Sequence, residues 1–277
     1  MKNGSVFCAK ISRKKIQKME NKERQNMKEI LKIEHIKKSY ANGANVTTAL
    51  KDVSFTVREG EFISIMGASG SGKTTLLNCI SAIDEATEGK LIIDGTELGQ
   101  LDEKGKAEFR RTKLGFIFQD YNLLDTLTVE ENISLALTIN HVPLHKIKES
   151  VEEIAEKFHI WHILKKYPYE ISGGEKQRCA CGRAVIHNPK LVLADEPTGA
   201  LDSGNSQELM EWISSMNRDN DTTVLVVTHD ILVSCYAERT LFLKDGMVYE
   251  ELAMKDMSSD EKLRRLMDVE ARIRRTA

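Results

Sequence analysis

Gly67-Ala68-Ser69-Gly70-Ser71-Gly72-Lys73-Thr74-Thr75 gives the first firm assignment. A glycine, four residues, then Gly72, Lys73 and Thr74 match the phosphate-loop pattern at each constrained position. Phe62, Ile63, Ile65 and Met66 before it predict a short buried strand, and Leu76, Leu77, Ile80 and Ile83 after it repeat at helical spacing. A glycine loop between strand and helix lets the backbone N–H groups of residues 67–75 close around phosphate oxygens. The helix start adds partial positive charge, Lys73 reaches the outer phosphates and Thr74 is left for magnesium. A plain glycine-rich turn with a solvated Lys is the competing reading, and the flanking elements disfavour it. The expected ligand is a nucleoside triphosphate.

Working outward, Leu191-Val192-Leu193-Ala194 is an apolar strand ending in Asp195 and Glu196. Beside the phosphate loop, a rigid strand end would let Asp195 hold magnesium through water and Glu196 orient and polarise the attacking water. Two more polar residues follow apolar strands: Gln119 after Phe116–Phe118, a neutral metal or water ligand, and His229 after Val224–Val227 and Thr228, able to bond a terminal phosphate. Ile171-Ser172-Gly173-Gly174-Glu175-Lys176-Gln177-Arg178 opens a helix with a hydroxyl and exposed amides, a second place to grip an anion. A simple glycine-flanked helix cap is the alternative there.

The order phosphate loop, Gln119, ISGGEKQR, LVLADE and His229 resembles the nucleotide-binding subunit of an ABC transporter over roughly residues 30–250. The resemblance implies an α/β fold: a P-loop NTPase core with a mainly parallel sheet, an antiparallel β subdomain and an inserted helical subdomain. It implies ATP and Mg2+ as ligands, with Tyr40 stacking on adenine, Gln119 sensing metal and γ-phosphate, and His229 contacting the γ-phosphate. Ser172, Gly173 and Gly174 would cap the ATP of a second copy, two nucleotides being sandwiched in a head-to-tail homodimer, with Gly199, Ala200, Leu201 and Asp202 crossing the interface. Ile171 and Glu175 stand where the family usually has Leu and Gln. DYNLLDTLTVEENI is similar to the ATPases of bacitracin-export type peptide antibiotic transporters, which implies an integral-membrane permease, often a sensor kinase reached through it, and a place on the cytoplasmic face of the membrane. An ATP-gated regulatory module that signals without moving a solute is the alternative function.

The rest of the chain agrees with that frame. With 277 residues, 41% of them hydrophobic, it has room for a substantial core, and its net charge of −2 gives no reason to expect a nucleic acid partner. No apolar run approaches the roughly 18 residues a membrane span needs. The five cysteines, Cys8, Cys79, Cys179, Cys181 and Cys235, form no paired framework and read as reduced packing or surface residues. Residues 1–27 are strongly basic and read as a disordered extension dispensable for hydrolysis, with Met27 an alternative start. Residues 28–252 read as the nucleotide-binding domain, with a helical subdomain over about 101–185, and 253–277 as a C-terminal docking helix whose packing face is Leu263, Leu266, Met267 and Ile273. Thr128 with Glu131, and Ser258 with Glu261, have capping-box spacing. Tyr121, Leu123, Leu124 and Leu127 are apolar enough that at least one is expected to meet the permease.

Overall fold

The computed structural model describes residues 28–42 and 45–275, so the expectations placed on residues 1–27 and on Cys8 lie outside the described residues. Among the described residues ten strands form one sheet: β1 (Glu29–Asn42), β2 (Asn45–Arg58), β3 (Phe62–Met66), β4 (Glu88–Ile93), β5 (Thr96–Glu97), β6 (Leu114–Ile117), β7 (Leu191–Asp195), β8 (Thr223–Thr228), β9 (Arg239–Lys244) and β10 (Met247–Ala253). They lie in the order β5-β4-β1-β2-β10-β9-β3-β8-β7-β6. The run β9-β3-β8-β7-β6 is parallel throughout, and β1, β2, β4 and β5 pair antiparallel beside it.

The parallel strands are apolar on both faces because both faces are covered. In β3, Phe62 and Met66 join the core on one side while Ile63 and Ile65 join the core on the other; in β8, Val224 and Val226 part from Leu225 and Val227 in the same way. Helix α1 (Lys73–Ile80) packs in the second core, as Leu76, Leu77 and Ile80 predict. It stops one turn short of the expected pattern, leaving Ile83 exposed in the following loop. On the other side pack α3 (Val129–Ile139), α4 (Leu144–Lys157) and α5 (Gly173–Val185), through Ile133, Val151, Ile154, Cys179 and Cys181. Thr128 caps α3 with the reciprocal Glu131 contact anticipated from its spacing. The purely helical stretch is shorter than 101–185, because after α2 (Glu103–Lys113) the chain returns to the sheet as β6.

The last segments are α6 (Ser203–Asn220), α7 (Ile231–Ser234) and α8 (Ser259–Arg275). Asp245 and Gly246, with φ of 49° and 76°, make the two-residue hairpin between β9 and β10. Helix α8 docks through Leu266 and Val269, with Ile273 half-buried and the Ser258 hydroxyl accepting from the Glu261 amide. Met267 is turned to solvent: a face running 266, 269, 273 selects Val269 instead. Of the described cysteines, Cys79, Cys179 and Cys181 are buried and Cys235 is half-buried, all as free thiols. Burial pushes the Cys79 thiol up to about 11 and that of Cys179 to about 12.

Candidate functional site

The parallel register places four strand ends side by side. Met66 pairs with Thr228, Asp195 with Val227, and Ile117 with Ala194. The residues just past these strands therefore converge: the phosphate loop after β3, His229 after β8, Glu196 after β7 and Gln119 after β6. These residues line one open cleft of about 850 Å³.

The loop is built for close approach to an anion. Gly72, at φ 104°, forms the N-cap of α1 with no side-chain hydrogen bond to the helix, leaving its first amides to a ligand. A side chain at Gly72 would also lie 2.7 Å from the Ala49 carbonyl, so only glycine fits. Lys73 is buried, its ammonium donating to the carbonyls of Gly67 (2.7 Å) and Ala68 (3.1 Å). Burial lowers its pKa against the pull of Glu196 and Asp195, while burial and then the neighbouring Glu196 raise that of Asp195. A polyanion beside Lys73 and a cation beside Asp195 would each reverse the penalty. The buried Ser71 hydroxyl has no hydrogen-bond partner inside the loop, a polar atom that a phosphate or its water would satisfy.

Glu196 adopts φ 45°, an uncommon conformation for a side-chain-bearing residue. Three donors hold its carboxylate: His229 Nδ1 at 2.8 Å, the Thr228 hydroxyl at 3.0 Å and the His229 amide at 3.3 Å. A carboxylate only accepts, so Nδ1 carries a proton, and Nε2 can donate to a phosphate oxygen only when the ring carries a second proton there. A Cβ on Gly199 would lie 3.3 Å from Gln119 Nε2, so the loop after Glu196 touches the Gln119 side chain.

Lys73, Gln119, Asp195, Glu196 and His229, with Gly67, Ala68, Ser69, Gly70, Gly72, Thr74 and Thr75, share the cleft. Six anticipated residues do not line it: Ser71, buried within the loop, and Tyr40, Ser172, Gly173, Gly174 and Asp202. Ser172 caps α5, its hydroxyl accepting from the Glu175 amide and donating to the Glu175 carboxylate at 2.7 Å. Gly173 and Gly174 follow at the helix start; Gly174 lines a separate cavity with Gln177 and Asn205. Asp202 caps α6 through the Asn205 amide at 2.9 Å. Tyr40 sits in the antiparallel region, its hydroxyl donating to Asp84 at 2.7 Å and its ring 4.8 Å from the Lys38 ammonium.

Two features escaped the sequence reading. The last turn of α8 walls the cleft with Glu270, Ile273 and Arg274. Its periodicity showed a docking face but not the surface it would meet. Asp84, which holds Tyr40 and pairs with Lys38, sits in a loop with no local signal.

The ABC transporter family profile matches residues 50–199. The chain is 48% identical over 229 residues to the bacitracin export ATP-binding protein BceA of Halalkalibacterium halodurans, covering 83% of this chain and 90% of that protein. It is likewise 48% identical to the ABC transporter ATP-binding protein YxdL of Bacillus subtilis, covering 82% and 88%. Among solved structures, the dimeric post-hydrolysis state of the ATP-binding cassette MJ0796, bound to ADP and Pi, superposes with a TM-score of 0.76 at 38% identity, covering 81% of this chain and 98% of that one.

Proposed function

Because the chain belongs to the ABC transporter family as an ATP-binding, ATP-hydrolysing subunit, we propose that it powers a permease exporting peptide antibiotics, working from the cytoplasmic face of the membrane. The observation that carries the catalytic part is the convergence of Lys73, Gln119, Asp195, Glu196 and His229 on one cleft. The likeness to the bacitracin export protein supports the substrate class. Among the described residues no helix is long and apolar enough to cross a membrane; we assign the translocation path to a partner chain. A sensor kinase reached through that permease is the further partner we assign. Purified with its permease in vesicles, the complex should hydrolyse ATP faster with bacitracin-like peptides than with unrelated solutes. Equal rates with all of them would overturn the substrate assignment and leave the ATPase standing.

In this reading Lys73 and the amides of residues 70–75 bind the phosphates, and Tyr40 presents to adenine the ring face not covered by Lys38. Thr74, Gln119 and Asp195 would hold Mg2+, which neutralises phosphate charge when bound. Among the described residues no cluster of three or more His, Cys, Asp or Glu could hold a metal by itself. A single carboxylate with neutral oxygens suits an ion that also takes phosphate oxygens and water. Glu196, fixed by its three donors, orients the attacking water, and His229 steadies Glu196 through Nδ1 while Nε2, when it also carries a proton, donates to the terminal phosphate.

Ser172 and Gly174 lie outside the cleft of their own chain, which supports a site completed by a second copy. A chain carrying Glu196→Gln should run as a dimer with ATP and Mg2+ on a sizing column. Adding Ser172→Arg should return it toward monomer; monomer in both cases would sink the shared site.

The permease surface is narrowed by the fold. Tyr121 turns inward, its hydroxyl against Gly173 and 3.5 Å from the Ala200 carbonyl, and Leu123 packs on the core. Leu124 alone of the four is exposed. Its backbone is fixed by the buried Asn132, which bonds both its amide and its carbonyl. Leu124→Glu should therefore cost less than about 0.5 kcal/mol of stability. Hydrolysis by the isolated subunit should persist while co-purification with the permease fails. Loss of basal hydrolysis instead would show the side chain to be internal.

A further inference from the structure

Tyr121 and Asn122, two and three residues past Gln119, adopt φ of 60° and 48°. Side-chain-bearing residues enter this region reluctantly, a bulky Tyr especially, so a pair in succession needs something to hold it. Both carbonyls are held by one side chain: Arg183, near the end of α5, donates through Nη2 to Tyr121 at 2.8 Å and through Nη1 to Asn122. Arg183 is half-buried and stands alone among Cys179, Ala180, Cys181, Ala184 and Ile186, all buried. A planar guanidinium offers two parallel donors in a fixed fork, which a Lys cannot reproduce.

We infer that Arg183 is a positioning residue for Gln119: it clamps the left-handed turn at Tyr121-Asn122 and thereby fixes where the Gln119 amide stands in the cleft. The same turn sets the Tyr121 hydroxyl against Gly173 and Ala200. The clamp thus ties the γ-phosphate side of one site to the helix start offered to the partner's ATP. This rests on the reading of Gln119 as a metal and phosphate contact.

The test titrates Mg2+ against the full chain at saturating ATP, reading the steady-state rate and, independently of turnover, the Mg2+ dependence of equilibrium ATP binding. Arg183→Lys should lower kcat about tenfold and raise the Mg2+ concentration giving half-maximal rate, with the KM for ATP within about twofold. Asn122→Gly, which adopts the turn without strain, should match the wild type alone and restore most of the lost rate to Arg183→Lys. Should Arg183→Lys fold poorly, Asn122→Ala keeps the question open to measurement, because an exposed Ala is strained at this φ; it should shift the Mg2+ requirement as Arg183→Lys does. Identical behaviour of Asn122→Ala and Asn122→Gly, or no rescue by Asn122→Gly, overturns the clamp. Gln119→Ala separates the two layers. If it leaves the Mg2+ dependence unchanged, the Gln119 reading itself fails; if it shifts that dependence while Arg183→Lys does not, only the clamp fails.

Discussion

Glu196→Gln is expected to slow ATP hydrolysis by about 10²- to 10⁴-fold while leaving ATP affinity close to that of the wild type. The substitution keeps shape and polarity. A Gln oxygen can still accept from the Thr228 hydroxyl or the His229 ring, which now hold the carboxylate at 3.0 and 2.8 Å. What is lost is the negative charge proposed to polarise water, a contribution that would be realised only on the way to the transition state. Single-turnover hydrolysis with Mg2+, alongside equilibrium nucleotide binding, separates the two. A variant hydrolysing at the wild-type rate would remove Glu196 from the reaction.

Lys73→Ala should act on the other quantity. In the proposed site, the ammonium that bonds the loop's own carbonyls at 2.7 and 3.1 Å would exchange those contacts for phosphate oxygens. Two hydrogen bonds to a charged group, at about 1.5–3 kcal/mol each, correspond to an affinity loss of roughly 10²- to 10⁴-fold. The fold itself should tolerate the change, since the variant also removes an ammonium disfavoured by burial. Calorimetric titration should therefore show binding lost, and millimolar ATP should raise the Tm of the wild type but not of the variant. Wild-type affinity in a folded Lys73→Ala chain would refute the phosphate-loop reading.

The parallel core was legible because its strands are short apolar runs closed by glycines and acids, and buried strands of that kind leave no room for another pattern. The cleft was legible for the same reason: its residues sit directly after those strands, so knowing that β3, β8, β7 and β6 are neighbours places Lys73, His229, Glu196 and Gln119 together. The features that escaped the sequence depend on contacts between distant segments. Met267 and Val269 compete for one helical face, and only the docked helix decides between them. Tyr121 is apolar and near the expected permease surface, yet its turn points it at Gly173. Arg183 carried a signal, a lone charge in a small apolar helical stretch, but its partners are carbonyls 61 and 62 residues away that no side-chain pattern encodes.

The thiols of Cys79 and Cys179, held near 11 and 12, have consequences for labelling chemistry. At pH 7 a thiol of pKa 11 is ionised in about one molecule in 10⁴, and only the thiolate attacks a maleimide or a disulfide reagent. Cys181 is pushed higher still and is fully enclosed. Replacing Cys8 and Cys235 therefore leaves a chain whose remaining sulfurs are silent to such reagents. In the proposed head-to-tail dimer, a cysteine introduced for Ser172 and another for Ser69 on a second copy would be the pair open to such reagents, and cross-linking with ATP but not without it would support that arrangement in a single gel lane.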